Sequence, residues 1–314
     1  MKQKITIIGA GAVGSTLAQR LLERSYADVV MFDIVPNMPQ GKALDMQQAG
    51  ALLGYNAKIT GTNDYKDTKD SDIIIITSGF PRKPGMTRDD LLKKNQEIVT
   101  EVVQKAIKYS PKCIIIVVTN PLNAMAQLTY TISGFPRERV IGMAGVLDTA
   151  RLRTFIAQEL QVSAQDIQAY VLGEHGNMMV TAVGMCMVGG VLLKKLLSAK
   201  QIKQIIQRTR DGGAEIVKLL GNGSAYFAPS AAVLQMIDAI VFDTKAILPC
   251  AVFLQGEYGI KNLFVGVPVK LGAKGVEKIM EVPLSQKELA SLKQSAAAVK
   301  DLVEIMKIKT KNEQ

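Results

Sequence analysis

Short apolar runs alternate with longer segments whose apolar residues recur at helical spacing through the first half of the chain. Ile5–Ile8, Val29–Phe32, Ile73–Ile76 and Cys113–Val118 read as strands, and the segments between them as helices. The run Ile73-Ile74-Ile75-Ile76 shows no alternation of polar and apolar positions, as expected for a parallel strand covered by helices on both faces. This rhythm predicts an α/β fold built on a doubly wound parallel sheet of Rossmann type. After about residue 146 the pattern changes. A long helix is predicted from near Asp148, followed by a strand-like Tyr170–Gly173, helices around 195–220 and 229–246, and a strand at Phe264–Val269. The chain therefore divides into a doubly wound N-terminal domain, 1–146, and a C-terminal α+β domain, 147–314. No low-complexity linker or internal repeat separates them.

Gly9-Ala10-Gly11-Ala12-Val13-Gly14 stands directly after the first strand and directly before a helix running through Leu17, Leu21 and Leu22. In that setting the first two glycines permit a tight turn and close approach of backbone to a pyrophosphate. The third lets helix and strand pack, and the phosphates meet the N–H groups at the helix start. Asp33 ends the second strand, 19 residues beyond Gly14. A carboxylate there accepts hydrogen bonds from ribose hydroxyls and repels a 2′-phosphate. Because Ile34 and Val35 follow instead of a basic residue, NAD is expected rather than NADP.

The chain has one histidine, His175, in the glycine-flanked segment Leu172-Gly173-Glu174-His175-Gly176-Asn177. An imidazole held in a loop yet open to substrate suits the removal and return of a hydroxyl proton. Asp148 and Arg151, three residues apart, share one helix face. They read either as an N-cap and a solvated arginine, or as an orienting carboxylate for His175 and a two-pronged grip on a substrate carboxylate. Spacing alone does not bring them to His175. The loop after Ile73–Ile76 contains Arg82, Pro84-Gly85 and Arg88, and Thr87 with Asp90 resembles a capping box, so a helix should start there. Two arginines in a bendable loop are either solvated or able to close over an anionic substrate.

Composition narrows the class. With 48% hydrophobic and 21% charged residues the chain is that of an ordinary globular protein. The net charge of +10 is carried by dispersed lysines with 5% aromatics and no tryptophan, which favours anionic small molecules over nucleic acid. Lys307–Lys311 reads as a solvated terminal fray. Cys113, Cys186 and Cys250 are odd in number and far apart, so neither a disulfide framework nor a metal site is expected. The N-terminal segment lacks the apolar core of a secretory signal, and no apolar run approaches the roughly 20 residues of a membrane span, so a cytoplasmic protein without membrane partners is expected.

Taken together, the glycine fingerprint with Asp33, Arg82-Lys83-Pro84-Gly85-Met86-Thr87-Arg88, Val118-Thr119-Asn120-Pro121, Leu147-Asp148-Thr149-Ala150-Arg151, Gly173-Glu174-His175-Gly176 and Gly223-Ser224-Ala225-Tyr226-Phe227-Ala228-Pro229 resemble the lactate/malate dehydrogenase family across nearly the whole chain. The resemblance implies an NAD-dependent enzyme of the tricarboxylic acid cycle, acting on a small dicarboxylate, malate or oxaloacetate, and assembling as a homotetramer or a dimer. It implies His175 as acid/base with Asp148 as its partner. Arg151 would sit on the carboxylate next to the reacting carbon, Arg88 would polarise the carbonyl oxygen, and Asn120 would touch substrate and cofactor. Ala12, Val13, Asn95 and Val118 would join Gly9, Gly11, Gly14 and Asp33 in the cofactor site. Arg82 would hold the second carboxylate, where lactate-specific relatives carry glutamine, and one buried charge discriminates strongly between substrates. The chain departs from the family pattern at Asn123 and Asn177, where aspartate is frequent; both are expected to change local hydrogen bonding rather than abolish activity. A lactate or broader 2-hydroxyacid dehydrogenase, and a catalytically silent NAD-binding module, remain as alternatives.

Overall fold

Isoleucine and valine dominate the strands of the first half because both faces of the sheet are buried. The computed structural model describes residues 2–80 and 88–307. Strands β1 (Gln3–Ile8), β2 (Ala27–Phe32), β3 (Ile59–Thr62), β4 (Ile73–Ile76), β5 (Ile114–Val117) and β6 (Val140–Gly142) run parallel in the order β3-β2-β1-β4-β5-β6. Helices α1 (Ala12–Arg24), α2 (Met38–Leu53), α3 (Arg88–Tyr109) and α4 (Leu122–Ser133) connect them. Strand β4 shows why its sequence has no alternation. Ile73 and Ile75 enter a core with Leu17 and Leu21 of α1, whereas Ile74 and Ile76 enter a second core with Val99 of α3 and Met125 of α4. All four are at most 1% exposed, so each contributes about 1.5–3 kcal/mol of burial. The strand order reverses between β1 and β4, the place where an open α/β sheet leaves a crevice at its carboxyl edge.

The second half holds α5 (Gly145–Leu160), five two-residue strands β7 (Ile167–Gln168), β8 (Val171–Leu172), β9 (Val180–Thr181), β10 (Met187–Val188) and β11 (Val191–Leu192), then α6 (Leu193–Leu196), α7 (Ala199–Leu220) and α8 (Phe227–Val241). It ends with β12 (Ala246–Gln255), β13 (Lys261–Gly272), β14 (Gly275–Ile279) and α9 (Gln286–Ile305). The antiparallel strands β12–β14 join the parallel sheet through Ala251 opposite Gly142 of β6. One nine-stranded sheet therefore runs through both halves.

Several expectations need correction. The helix expected over 229–246 stops at Val241, and a strand, β12, begins at Ala246. A buried strand and a buried helix share the same unbroken apolar signal, and the break between them is made by Asp243 and Lys245, both at positive φ. The helix expected from near Asp148 starts at Gly145 with Ala144 as its N-cap, so Asp148 lies inside the first turn and is not a cap. Strands β3 and β6 were not anticipated; each is short and contains a glycine. The strand at Phe264–Val269 extends to twelve residues as β13.

Candidate active site

The start of α5 is pressed against β8. A Cβ at Gly145 would lie 2.5 Å from the Val171 carbonyl oxygen, and the Thr149 hydroxyl accepts the Val171 N–H at 3.0 Å. This contact fixes Asp148 beneath the loop that joins β8 to β9, and His175 sits in that loop. Three consecutive residues of the loop are held by three different elements. Gly173, at φ +90°, exchanges two backbone hydrogen bonds with Gly266 of β13 at 2.8 and 2.9 Å, a conformation that favours glycine. The Glu174 N–H donates to Ser295 Oγ of α9 at 2.7 Å, and the His175 N–H donates to Asn123 Oδ1 of α4 at 2.9 Å. Asn123 in turn donates from Nδ2 to the Phe264 carbonyl at 3.0 Å.

The side chains meet in series. His175 Nδ1 lies 2.7 Å from Asp148 Oδ2, and Arg151 Nη1 donates to Asp148 Oδ1 at 3.1 Å. The Asp148 side chain is 2% exposed, whereas those of His175 and Arg151 retain 14%. One buried carboxylate thus serves a histidine and an arginine that both keep an open edge. Arg151 lies along α7, where Gly212 and Gly213 leave it room: a Cβ at Gly212 would stand 3.2 Å from Arg151 Cδ, and one at Gly213 would stand 3.5 Å from Nη2. Glycine inside a helix costs about 1 kcal/mol relative to alanine, and accommodating the arginine is the return for it.

The glycine loop faces this group across a cavity of about 540 Å³, lined among others by Val13, Asn120, Arg151 and His175. Gly9 has φ +113°, and a Cβ there would lie 2.6 Å from Thr77 Oγ1; a Cβ on Gly14 would collide with the Gly9 carbonyl at 1.9 Å. Gly11 differs, because a Cβ on it would meet nothing among the described residues within 4 Å, so those residues leave the space beside it open. Asp33 accepts the Ala10 N–H at 2.7 Å and the Val35 N–H at 3.0 Å, and each oxygen keeps a lone pair for another donor. Lys42 of α2, which sequence reasoning missed, donates from Nζ to the Ala10 carbonyl at 2.6 Å and to Ser15 Oγ at 3.0 Å, placing a cation at the start of α1.

The loops after β4 and β5 are tied together. Asn95, 2% exposed on α3, accepts the Phe80 N–H at 2.6 Å and donates to the Asn120 carbonyl at 2.7 Å, while Thr119 Oγ1 donates to the Ser78 carbonyl at 2.6 Å. Asn95 and Val118 line the cavity, so Asn95 braces its wall with both ends of its amide. Arg210, also missed, lines the cavity and donates from Nη2 to the Met179 carbonyl at 3.3 Å. Asn177 is exposed. Arg82 and the side chain of Arg88 lie outside the described residues, as does Thr87. Among the described residues no cluster of three histidine, cysteine or acidic side chains could hold a metal, and no helix is long and apolar enough to cross a membrane. Cys113, Cys186 and Cys250 are buried free thiols.

Residues 3–142 match the model of the lactate/malate dehydrogenase NAD binding domain, and residues 145–310 match that of the lactate/malate dehydrogenase alpha/beta C-terminal domain. The chain is 53% identical over 307 residues to the malate dehydrogenase of Thermomicrobium roseum, covering 98% of this chain and 99% of that one. The crystal structure of Cryptosporidium parvum malate dehydrogenase superposes with a TM-score of 0.95 at 44% identity, covering 98% of this chain and 99% of the other. A lactate dehydrogenase from the same organism, complexed with lactic acid and nicotinamide adenine dinucleotide, superposes equally well, with a TM-score of 0.95 at 40% identity over 99% of both chains. With two matched domains that span most of its length, and relatives above half identical, this chain belongs to the lactate/malate dehydrogenase family.

Proposed function

We propose that the chain is an NAD-dependent malate dehydrogenase that interconverts malate and oxaloacetate, with His175 carrying the proton. The observation that carries this reading is the Arg151–Asp148–His175 series opening onto the cavity that the glycine loop closes from the other side. The cofactor fits the residues present. Gly11 leaves room that no atom of the described residues fills, the start of α1 has no side-chain cap among them, Lys42 adds a cation there, and Asp33 stands at the end of β2 for the ribose. Ala12, Val13, Asn95 and Val118 complete that wall. Bound NAD supplies the acceptor or donor of the hydride.

With Nδ1–H donating to Asp148, His175 keeps Nε2 as its basic nitrogen. Nε2 takes the hydroxyl proton when malate is oxidised and returns it when oxaloacetate is reduced. The imidazolium formed is stabilised by the buried Asp148 carboxylate. Arg151, anchored on the same carboxylate, offers its remaining N–H groups to the substrate carboxylate next to the reacting carbon. Asn120 touches substrate and cofactor, Arg88 polarises the carbonyl oxygen, and Arg82 receives the second carboxylate. We take 1–146 as the cofactor half and 147–314 as the substrate half. A homotetramer in the cytoplasm is part of the same reading.

The test is NADH oxidation followed by absorbance, with oxaloacetate and pyruvate at equal concentration and NADPH as control. Rapid turnover with oxaloacetate and NADH is expected, with Arg82→Gln shifting preference toward pyruvate. A preference for pyruvate in the unmodified enzyme would transfer the assignment to lactate, the substrate held by the similarly folded lactate dehydrogenase.

A further inference from the structure

A second cavity, of about 680 Å³, opens beside the β8–β9 hairpin, and Arg210 lines both this cavity and the active-site cavity. Its chemistry is mixed in a defined way. Val180, Leu197, Ile202 and Ile206 form an apolar floor, and Lys194, Lys203 and Lys287 stand on the wall without an ion pair to any acid among the described residues. The acid that faces them, Glu288, is already engaged by the N–H and hydroxyl of Ser285 and the N–H of Gly184. Two long helices begin at the wall: Ala199 is the first residue of α7, whose positive dipole end adds to the lysines, and Ser285 is the N-cap of α9, whose positive end is met by the Glu288 carboxylate of its capping box. Thr181, 7% exposed, also lines the cavity, and among the described residues its buried hydroxyl has no hydrogen-bond partner; nor has Arg210 Nε. A cationic wall over an apolar floor is complementary to a ligand that carries an acid group on an apolar body.

We propose that this cavity is an effector site for an organic monoanion with an apolar body, its acid group meeting Lys194 and Lys203 while the body lies on Ile202 and Ile206. The site is coupled to the chemistry through two connections. Thr181 and Val180 pair with Val171 and Leu172 in the hairpin whose loop holds His175. Arg210 also donates to the carbonyl of Met179, at the end of that loop. An anion that draws the Arg210 guanidinium toward itself weakens the Met179 bond and shifts the loop. The regulatory role rests on the dehydrogenase reading above; the binding does not.

The experiment is calorimetric titration of the full chain, free of nucleotide and substrate, with octanoate, with its uncharged counterpart octanamide, and with inorganic phosphate. Octanoate is expected to bind saturably at a single site, with octanamide and phosphate each about tenfold weaker or more, since each lacks one half of the complementarity. At ten times its Kd, octanoate should raise the thermal midpoint by about 2 °C. The double substitution Lys194→Glu with Lys203→Glu should weaken octanoate by about tenfold or more and leave turnover without octanoate unchanged. Octanoate should change KM for oxaloacetate in the unmodified enzyme and not in the double variant. Absence of saturable binding, equal binding of octanamide or phosphate, or binding that survives the double substitution overturns the site. Saturable binding with no change in KM overturns the effector role while leaving the dehydrogenase assignment to its own assay.

Discussion

Replacing Asp148 by asparagine tests the centre of the mechanism, because the structure requires two acceptors from this side chain. Oδ2 takes His175 Nδ1 and Oδ1 takes Arg151 Nη1, at 2.7 and 3.1 Å. Asparagine has a single oxygen. Since Arg151 can only donate, the amide oxygen settles toward Nη1 and its NH2 faces the imidazole. Nδ1 must then accept, and the ring proton moves to Nε2, the nitrogen that has to receive the hydroxyl proton. If the amide turns the other way, its NH2 confronts the arginine and the grip on the substrate carboxylate loosens. In both orientations the negative charge that stabilises the imidazolium is gone. At an effective dielectric of about 20, an ion pair at about 4 Å is worth about 4 kcal/mol, and Asp148 is too buried for solvent to screen it. The expected loss in kcat is therefore roughly two to three orders of magnitude. Stopped-flow or steady-state NADH oxidation with oxaloacetate measures it, and NADH binding by fluorescence should stay unchanged because Asp33 and the glycine loop are untouched. A variant that keeps more than about a tenth of wild-type kcat would refute the role given to this carboxylate.

His175→Asn should depress turnover far more than NADH affinity, measured by the same pair of assays, since His175 contributes the proton carrier and the glycine loop contributes the cofactor seat. Gly212→Ala should separate stability from function: alanine favours the α7 helix by about 1 kcal/mol, yet its Cβ presses on Arg151 Cδ, so the thermal midpoint should hold or rise while KM for oxaloacetate rises several-fold. Iodoacetamide should fail to label the native protein at pH 8, as read by mass spectrometry, because burial pushes the Cys113 and Cys186 thiols up to about 12 and raises that of Cys250 as well; roughly one thiol in ten thousand is then ionised, and labelling should appear only on unfolding.

What could be read from the sequence was whatever declares itself locally. The glycine run, Asp33 and the unalternating Ile73–Ile76 each carry their meaning within a few residues, and the doubly wound sheet followed from them. His175 was singled out by being the only histidine, in a glycine-flanked loop. Of the continuation of the sheet, Phe264–Val269 within β13 was legible as a strand, whereas β12 was not, because an apolar run bounded by polar residues has the same composition as helix or strand until its turn is known. Lys42, Arg210, Ser295 and the glycine pair beside Arg151 were missed for a related reason. Their residue types are common, and what gives them a role is a partner far along the chain: Ser295 reaches Glu174 across 121 positions and Lys42 reaches Ala10 across 32.

Asn123 shows how such a long-range partner changes the meaning of a departure from the family pattern. The expectation was altered hydrogen bonding at a position where aspartate is frequent, and this side chain uses both halves of its amide. Its oxygen holds the His175 N–H, and its nitrogen donates to the Phe264 carbonyl in β13. A carboxylate could perform the first task but has no proton for the second, so the Phe264 carbonyl would lose this donor in a buried setting. It would also place a second negative charge near the backbone of the residue whose imidazolium Asp148 already stabilises. The neutral amide thus fixes the histidine backbone from α4 and ties that contact to the strand that also holds Gly173. The charge at the site stays concentrated on the one carboxylate that faces the ring.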